Sequence, residues 1–375
     1  MNIKKQSAIA LVVLVVILIG VYVQYGRSAL SSDVVVVGSS LSLTGKSASI
    51  GERVKNGMEI ALAEVQASST LPIKLKVVYE DDKGEAPAAV SAVNKLISSD
   101  RVHVIIGLPK SDPLLAIAPI TEKHKVVVFS PTAGAEGITD AGDYVFRNIQ
   151  KPDSDGKTIA GFFKNRGVNK VALFVAQASN ALSYGKAFKN NFEAVGGTIS
   201  FDQQYNQDST DFRTDILRAK KSGAEAVYLA VATGKDSGII TRQLREAGFA
   251  GMIAASVASQ TKEFLDTAGI HAEGVYVTTA YFDPNNPIAR EYARAYKART
   301  GAESDGFGAN SYDAIMLIAK AVNECKGDDS DCIRDYLYHT RNYPGVGGIT
   351  TFDQNGDVTK LAQIMVVKGG MFVRE

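Results

Sequence analysis

Two short β-branched runs, Val104–Ile106 and Val126–Phe129, constrain this chain more than any other feature. Each run ends in a loop of small, hydroxyl-bearing and helix-starting residues. One loop reads Gly107-Leu108-Pro109-Lys110-Ser111-Asp112-Pro113, the other Ser130-Pro131-Thr132-Ala133-Gly134. An apolar run with helical spacing, Leu114–His124, lies between them. These are two successive strand–loop–helix units of a parallel sheet. Open sheets of this kind bind ligands at the carboxyl ends of their strands, where both loops would sit. The Ser111 hydroxyl and the backbone amides after Pro131 suit a small anion, which points to a binding cleft rather than a reaction site.

The same theme runs along the whole chain. Val34–Val37 and Leu75–Tyr79 are further continuous apolar runs, as parallel strands buried on both faces require. Helical patterns at Val54–Val65 and Ala88–Ser98 alternate with them. From about Lys151 the theme restarts, with strands expected at Lys170–Val175, Gly197–Gln204, Ala226–Ala230, Gly251–Ala255 and Val275–Thr279. Helices are expected at Asp155–Asn165, Tyr184–Val195, Thr210–Lys221 and Lys235–Ala247. Gly167, Gly196, Gly223 and Gly248 stand where helix C-caps belong. The helical patterns at Asn286–Thr300 and Tyr312–Asn323 read as the chain returning to complete the first unit. Gly347–Phe352 and Lys360–Val373 read as closing strands, with a tight turn at Asp353–Gly356 between them.

At 375 residues the chain suits two domains rather than one core. The expected division is 1–32 as a leader, 33–149 plus 280–348 as one lobe, and 150–279 plus 349–375 as the other. Lys and Arg together number 41 against 40 Asp and Glu, so there is no basic excess to gather nucleic acid. Lys4 and Lys5 precede an unbroken apolar run, Ala8–Val23. That pattern implies export, with the segment either a cleaved signal peptide or a retained membrane anchor. Cys325 and Cys332, the only cysteines, flank a short polar loop and in an exported chain read as a local disulfide.

Several apparent sites fail on their own spacing. Thr44-Gly45-Lys46-Ser47 resembles the end of a phosphate-binding loop, but that loop needs glycine at position 40, where Ser40 stands. Asp81 and Asp82 could mimic a metal pair, yet no third ligand lies beside them, so they read as loop and cap residues. The histidines (His103, His124, His271, His339) are scattered, no nucleophile motif occurs, and no cofactor or metal site can be assembled. The chain is read as a non-enzyme.

From Asp33 to Glu375 the chain resembles the periplasmic binding proteins of the leucine/isoleucine/valine type, which serve ABC importers. The resemblance is carried by Ser42-Leu43-Thr44-Gly45 with Gly51, Tyr79-Glu80-Asp81-Asp82, and Val104-Ile105-Ile106-Gly107 with Ser111. Ser130-Pro131-Thr132-Ala133, Tyr184-Gly185, Asp211-Phe212, Tyr312-Asp313-Ala314 and Phe352-Asp353-Gln354-Asn355-Gly356-Asp357 complete it. It implies two Rossmann-like α/β lobes with parallel sheets, joined by three crossovers and closing on a ligand. It places Ser111 on the ligand carboxylate, together with Thr132, Ala133 and Gly134 on the next loop. Helix capping is the competing role for Ser111. Tyr184 would cover the ligand from the second lobe, with Ile50 and Phe307 lining the side-chain pocket. Two departures stand out. Gly134 replaces a threonine that binds the α-ammonium, and Ser256 lies near the family's acidic residue. The expected function is capture of an amino acid or related carboxylate or amide and its delivery to an ABC permease. The alternative is a membrane-tethered sensor built on the same clamp.

Overall fold

The computed structural model describes residues 34–207 and 209–375. The apolar run Ala8–Val23 lies outside the described residues; among those described, no helix is long and apolar enough to cross a membrane.

The first sheet holds β1 (Val34–Leu41), β2 (Lys74–Asp81), β3 (Val104–Gly107), β4 (Val127–Ser130) and β5 (Val145–Arg147), all parallel in the order β2-β1-β3-β4-β5. Its strands are apolar throughout because both faces are covered. Alternate residues point to opposite faces. Val104 and Ile106 therefore join Val35, Val37, Val127 and Phe129 on one side. There they pack on α1 (Ala48–Ala67) and α10 (Gly306–Cys325). Ile105, Val126 and Val128 face the other way, onto α2 (Ala86–Ser98) and α3 (Ser111–Lys123).

The second sheet repeats the scheme. It holds β6 (Lys170–Ala176), β7 (Thr198–Tyr205), β8 (Ala226–Ala230), β9 (Met252–Ala255) and β10 (Tyr276–Ala280). Their order, β7-β6-β8-β9-β10, is that of the first sheet, and the antiparallel hairpin β13 (Ala362–Lys368)–β14 (Met371–Arg374) extends it at β10. Ala172, Phe174, Val227 and Leu229 face α6 (Arg213–Lys221), α7 (Gly234–Glu246) and α8 (Lys262–Ala268). Val171, Leu173, Val175 and Tyr228 face α4 (Pro152–Asn165) and α5 (Ser179–Ala194). The four expected cap glycines, Gly167, Gly196, Gly223 and Gly248, carry φ of 76, 77, 75 and 72° at the ends of α4 to α7.

The chain passes between the sheets three times: after β5, after β10, and before β13. On its return it lays α9 (Pro287–Thr300) and α10 on the first core, through Ala289, Tyr292, Ala309 and Ile315. Cys325 at the end of α10 is bonded to Cys332 near the start of α11 (Ser330–His339), with Cα atoms 5.9 Å apart.

The tail departs from the sequence reading. Gly348–Thr350 pairs only with Tyr343–Gly345, as the small hairpin β11–β12. Residues 349–358, assigned by sequence to the second lobe, pack on the first. Phe352 and Val358 belong to its core, and Phe352 meets Phe129 and Phe146 at 5.6 and 5.4 Å between ring centroids. Aromatic edge-to-face packing of this kind outweighs a boundary drawn from strand periodicity.

Candidate functional site

The loops after β3 and β4 of the first sheet face those after β6, β8 and β9 of the second, each at the carboxyl end of its strand. Between them lies a narrow, nearly closed cleft. From the first lobe Ile50, Lys110, Ser111, Thr132, Gly134 and Phe307 line it. The second lobe contributes Asn180, Tyr184, Ala232, Val257 and Ala258. Six of the eight residues singled out from the sequence thus meet at one place. Ala133 and Ser256 stand outside: the Ala133 N–H donates to Ser130 Oγ (3.2 Å), and Ser256 Oγ accepts from the Val231 N–H (3.1 Å).

The first-lobe wall is internally bonded. Ser111 is the first residue of α3 but caps nothing in it; its Oγ accepts from the Ala135 N–H of the neighbouring loop (3.1 Å). Among the described residues its own hydrogen has no acceptor, so it can donate into the cleft. Thr132 Oγ1 donates to the Pro109 carbonyl (3.2 Å). Behind this loop, buried Arg147 donates to the Ala135 carbonyl (2.6 Å), to Thr139 (2.8 Å) and to both carboxylate oxygens of Asp357 (2.6 and 3.1 Å). The Phe352–Asp357 motif therefore serves to hold the loop that carries Gly134. The adjacent acids do similar work: Asp81 accepts from Leu43, Thr44 and Lys83, and Asp82 from Ser40, Ser42 and Gly84.

Gly134 has a direct steric cause. A Cβ there would lie 2.4 Å from Tyr184 Oη, which reaches across from α5 of the second lobe. The tyrosine hydroxyl occupies the space a threonine side chain would need. Tyr184 is fully buried and its hydroxyl has no hydrogen-bond partner among the described residues. Burial, then the charge of Asp155, raises its pKa well above the usual phenol value.

Sequence reasoning missed the polar contacts that bridge the lobes. Lys110 Nζ donates to the Ala232 carbonyl (2.9 Å), and burial lowers its pKa against the fields of Asp112, Asp236 and Glu263. Asp112, read as a helix-start residue, also accepts from the Ser179 N–H (3.3 Å) and hydroxyl. The Glu136 N–H donates to Ser183 Oγ (3.0 Å). Loop composition alone gives no signal for these, because each needs the two lobes in register.

A family model described as periplasmic binding protein matches residues 34–371. The chain belongs to that family. Within it, this periplasmic binding protein is of the leucine/isoleucine/valine type, a solute-binding and non-enzymatic class, and its location is extracytoplasmic. It is 26% identical over 336 residues to "Leu/Ile/Val-binding protein homolog 3" of Brucella melitensis, covering 88% of this chain and 90% of that protein. Its fold is similar to a leucine-binding protein from Thermotoga maritima, with TM-score 0.86, 29% identity, and coverage of 91% and 97% of the two chains. A branched-chain amino acid transporter substrate-binding protein of Streptococcus pneumoniae, solved with isoleucine, superposes with TM-score 0.83 at 25% identity over 91% and 100%.

Proposed function

We propose that this protein captures a small metabolite with a carboxylate or amide end between its lobes and hands it to an ABC permease. The observation that carries this reading is the cleft at the carboxyl ends of both sheets, with the Ser111 hydroxyl free to donate into it. A carboxylate there would accept from Ser111 and from the Gly134 backbone, while Tyr184 covers it from the second lobe. Donors already fixed by Ala135, Pro109 and Arg147 lose little freedom on binding, which favours affinity. Ile50, Val257 and Phe307 offer an apolar pocket for an aliphatic body. The relatives bind branched-chain amino acids by name, and that class heads the ligands to test. Because the ligand touches both lobes only when they are closed, binding shifts the population toward closure, and a permease that recognises the closed form reads occupancy.

The test is a thermal-shift and calorimetric screen of the protein with leucine, isoleucine, valine, their amides and small carboxylates. At least one should raise the melting temperature. Ser111→Ala should then weaken that ligand about tenfold or more, the loss expected for one hydrogen bond to a charged group. An affinity within about twofold of wild type would remove Ser111 from the anchoring role.

A further inference from the structure

Two cations of the first lobe reach across to the second, and each ends on a backbone carbonyl there. Arg53, on α1, donates from Nη1 to the Gln260 carbonyl (2.9 Å), 207 residues away. Lys110, in the loop after β3, donates from Nζ to the Ala232 carbonyl (2.9 Å), 122 residues away. Both acceptors belong to loops that build the second wall of the cleft. Ala232 lines it just after β8, and Gln260 follows the turn after β9 that brings Val257 and Ala258 to it.

Arg53 is fixed within its own lobe before it reaches across. Its Nε donates to the Ser49 carbonyl (3.3 Å), its Nη1 also meets Asp305, and its guanidinium lies 4.8 Å from the centre of the Phe307 ring. Asp305 in turn accepts from the Phe307 and Gly308 N–H groups (3.0 Å each), capping α10. The Arg53 and Asp305 side chains are only 18 and 12% exposed, so solvent screens the pair weakly. Lys110 stands beside Ser111, where the carboxylates of Asp112, Asp236 and Glu263 favour its charged form.

A hydrogen bond from a charged donor is stronger than a neutral one, and a carbonyl acceptor adds no second charge to bury. Donor and acceptor sit on different lobes, so both bonds exist only when the lobes are together. The ligand's contacts with both lobes have the same condition. Bonds that favour closure therefore raise the fraction of molecules ready to hold a ligand, and apparent affinity scales with that fraction.

We infer that Arg53 and Lys110 form a latch that populates the closed clamp by itself and raises affinity for every ligand of the cleft by one common factor. They are positioning residues, acting on the second wall through the Gln260 and Ala232 carbonyls rather than through the ligand's chemistry. The latch rests on the clamp reading above but on no particular ligand.

The first arm of the test is small-angle X-ray scattering of the ligand-free full chain. Arg53→Met and Lys110→Met should each give a larger radius of gyration than wild type, and the double variant a larger one still. Arg53→Lys keeps a cationic donor and should return part of the way to wild type. The second arm is titration calorimetry with leucine, leucinamide and 4-methylpentanoate. Each Met variant should weaken every probe that wild type binds about fivefold or more, by factors that agree within about twofold. Should Arg53→Met fail to fold, Arg53→Lys and Lys110→Met carry both arms. Equal ligand-free radii in wild type and the variants overturn the inference. Weakening that differs among the probes by more than about threefold overturns it as well, because a shift of the closed population acts on all ligands alike. Wild type that binds none of the probes overturns the proposed capture of a carboxylate or amide, while the scattering arm still decides the latch.

Discussion

The two walls of the cleft treat their polar groups in opposite ways. On the first lobe Ser111, Thr132, Ser130 and Arg147 are bonded to neighbouring loops, and the few donors left over point at the cleft. Behind the second-lobe wall Asp155, Gln150, Tyr228 and Thr278 are buried together without well-formed hydrogen bonds, the Tyr184 hydroxyl likewise, and Asp236 keeps one free oxygen. The satisfied side is held by its own bonds, whereas the other carries the cost of burying polar groups with poor partners. The difference teaches that one lobe brings fixed donors to the cleft while the other stores unfavourable polar burial behind it.

The comparison breaks most readily at Arg147. Its ion pair with Asp357 is buried on both sides (exposures of 0 and 1%). Arg147→Met should therefore cost about 2–4 kcal/mol in urea denaturation, because buried Asp357 loses its two-point partner and keeps only the Thr139 hydroxyl (2.8 Å) and Lys151 (3.5 Å). A loss below about 1 kcal/mol would mean the first wall does not depend on this pair.

On the opposite wall the sign reverses. Burial pushes the Asp155 carboxyl up to about 7 from its ordinary 3.8. Because the folded state holds this proton more tightly than the unfolded chain, the group's stability contribution is full below about pH 4 and lost as pH rises through 7. The span is on the order of 4 kcal/mol. Without ligand, Asp155→Asn should flatten that part of the stability–pH curve and leave the protein more stable at pH 8. An unchanged slope would place Asp155 outside the set of unsatisfied groups.

The contact between the walls is sharpened by Gly134 and Tyr184. Gly134→Ala sets a methyl against the tyrosine hydroxyl and should weaken ligand binding by about 1–3 kcal/mol, the cost of overpacking. In the Gly134→Ala, Tyr184→Phe double variant part of that loss should return, since the clashing oxygen is gone. Strict additivity in calorimetry would show that the two residues do not meet in the closed state.

Much of the fold was legible because parallel strands covered on both faces must be apolar without interruption. Val104–Ile106, Val126–Phe129 and Ala226–Ala230 therefore announce themselves. β5 is only three residues long, α8 only seven, and α11 follows a polar disulfide loop, so each offers too short a pattern to stand out. The run Lys360–Val373 read as one strand although Gly369 and Gly370, both at positive φ, break it into the β13–β14 hairpin. The cleft position of Ser111 and Thr132 was readable from loop chemistry at the strand ends. Asp155 was read only as a helix start, because what distinguishes it, burial among poorly placed partners, is a tertiary property. The lobe-bridging pairs Lys110–Ala232 and Asp112–Ser179 are invisible for the same reason.

The threefold passage of the chain between its sheets also governs how the molecule is made. The first core waits for α9, α10 and Phe352, and the edge of β10 stays open until β13 pairs with it. Neither lobe can be finished before the last few dozen residues emerge from the ribosome. A cut anywhere between β5 and β13 would therefore leave both cores open rather than release one intact lobe.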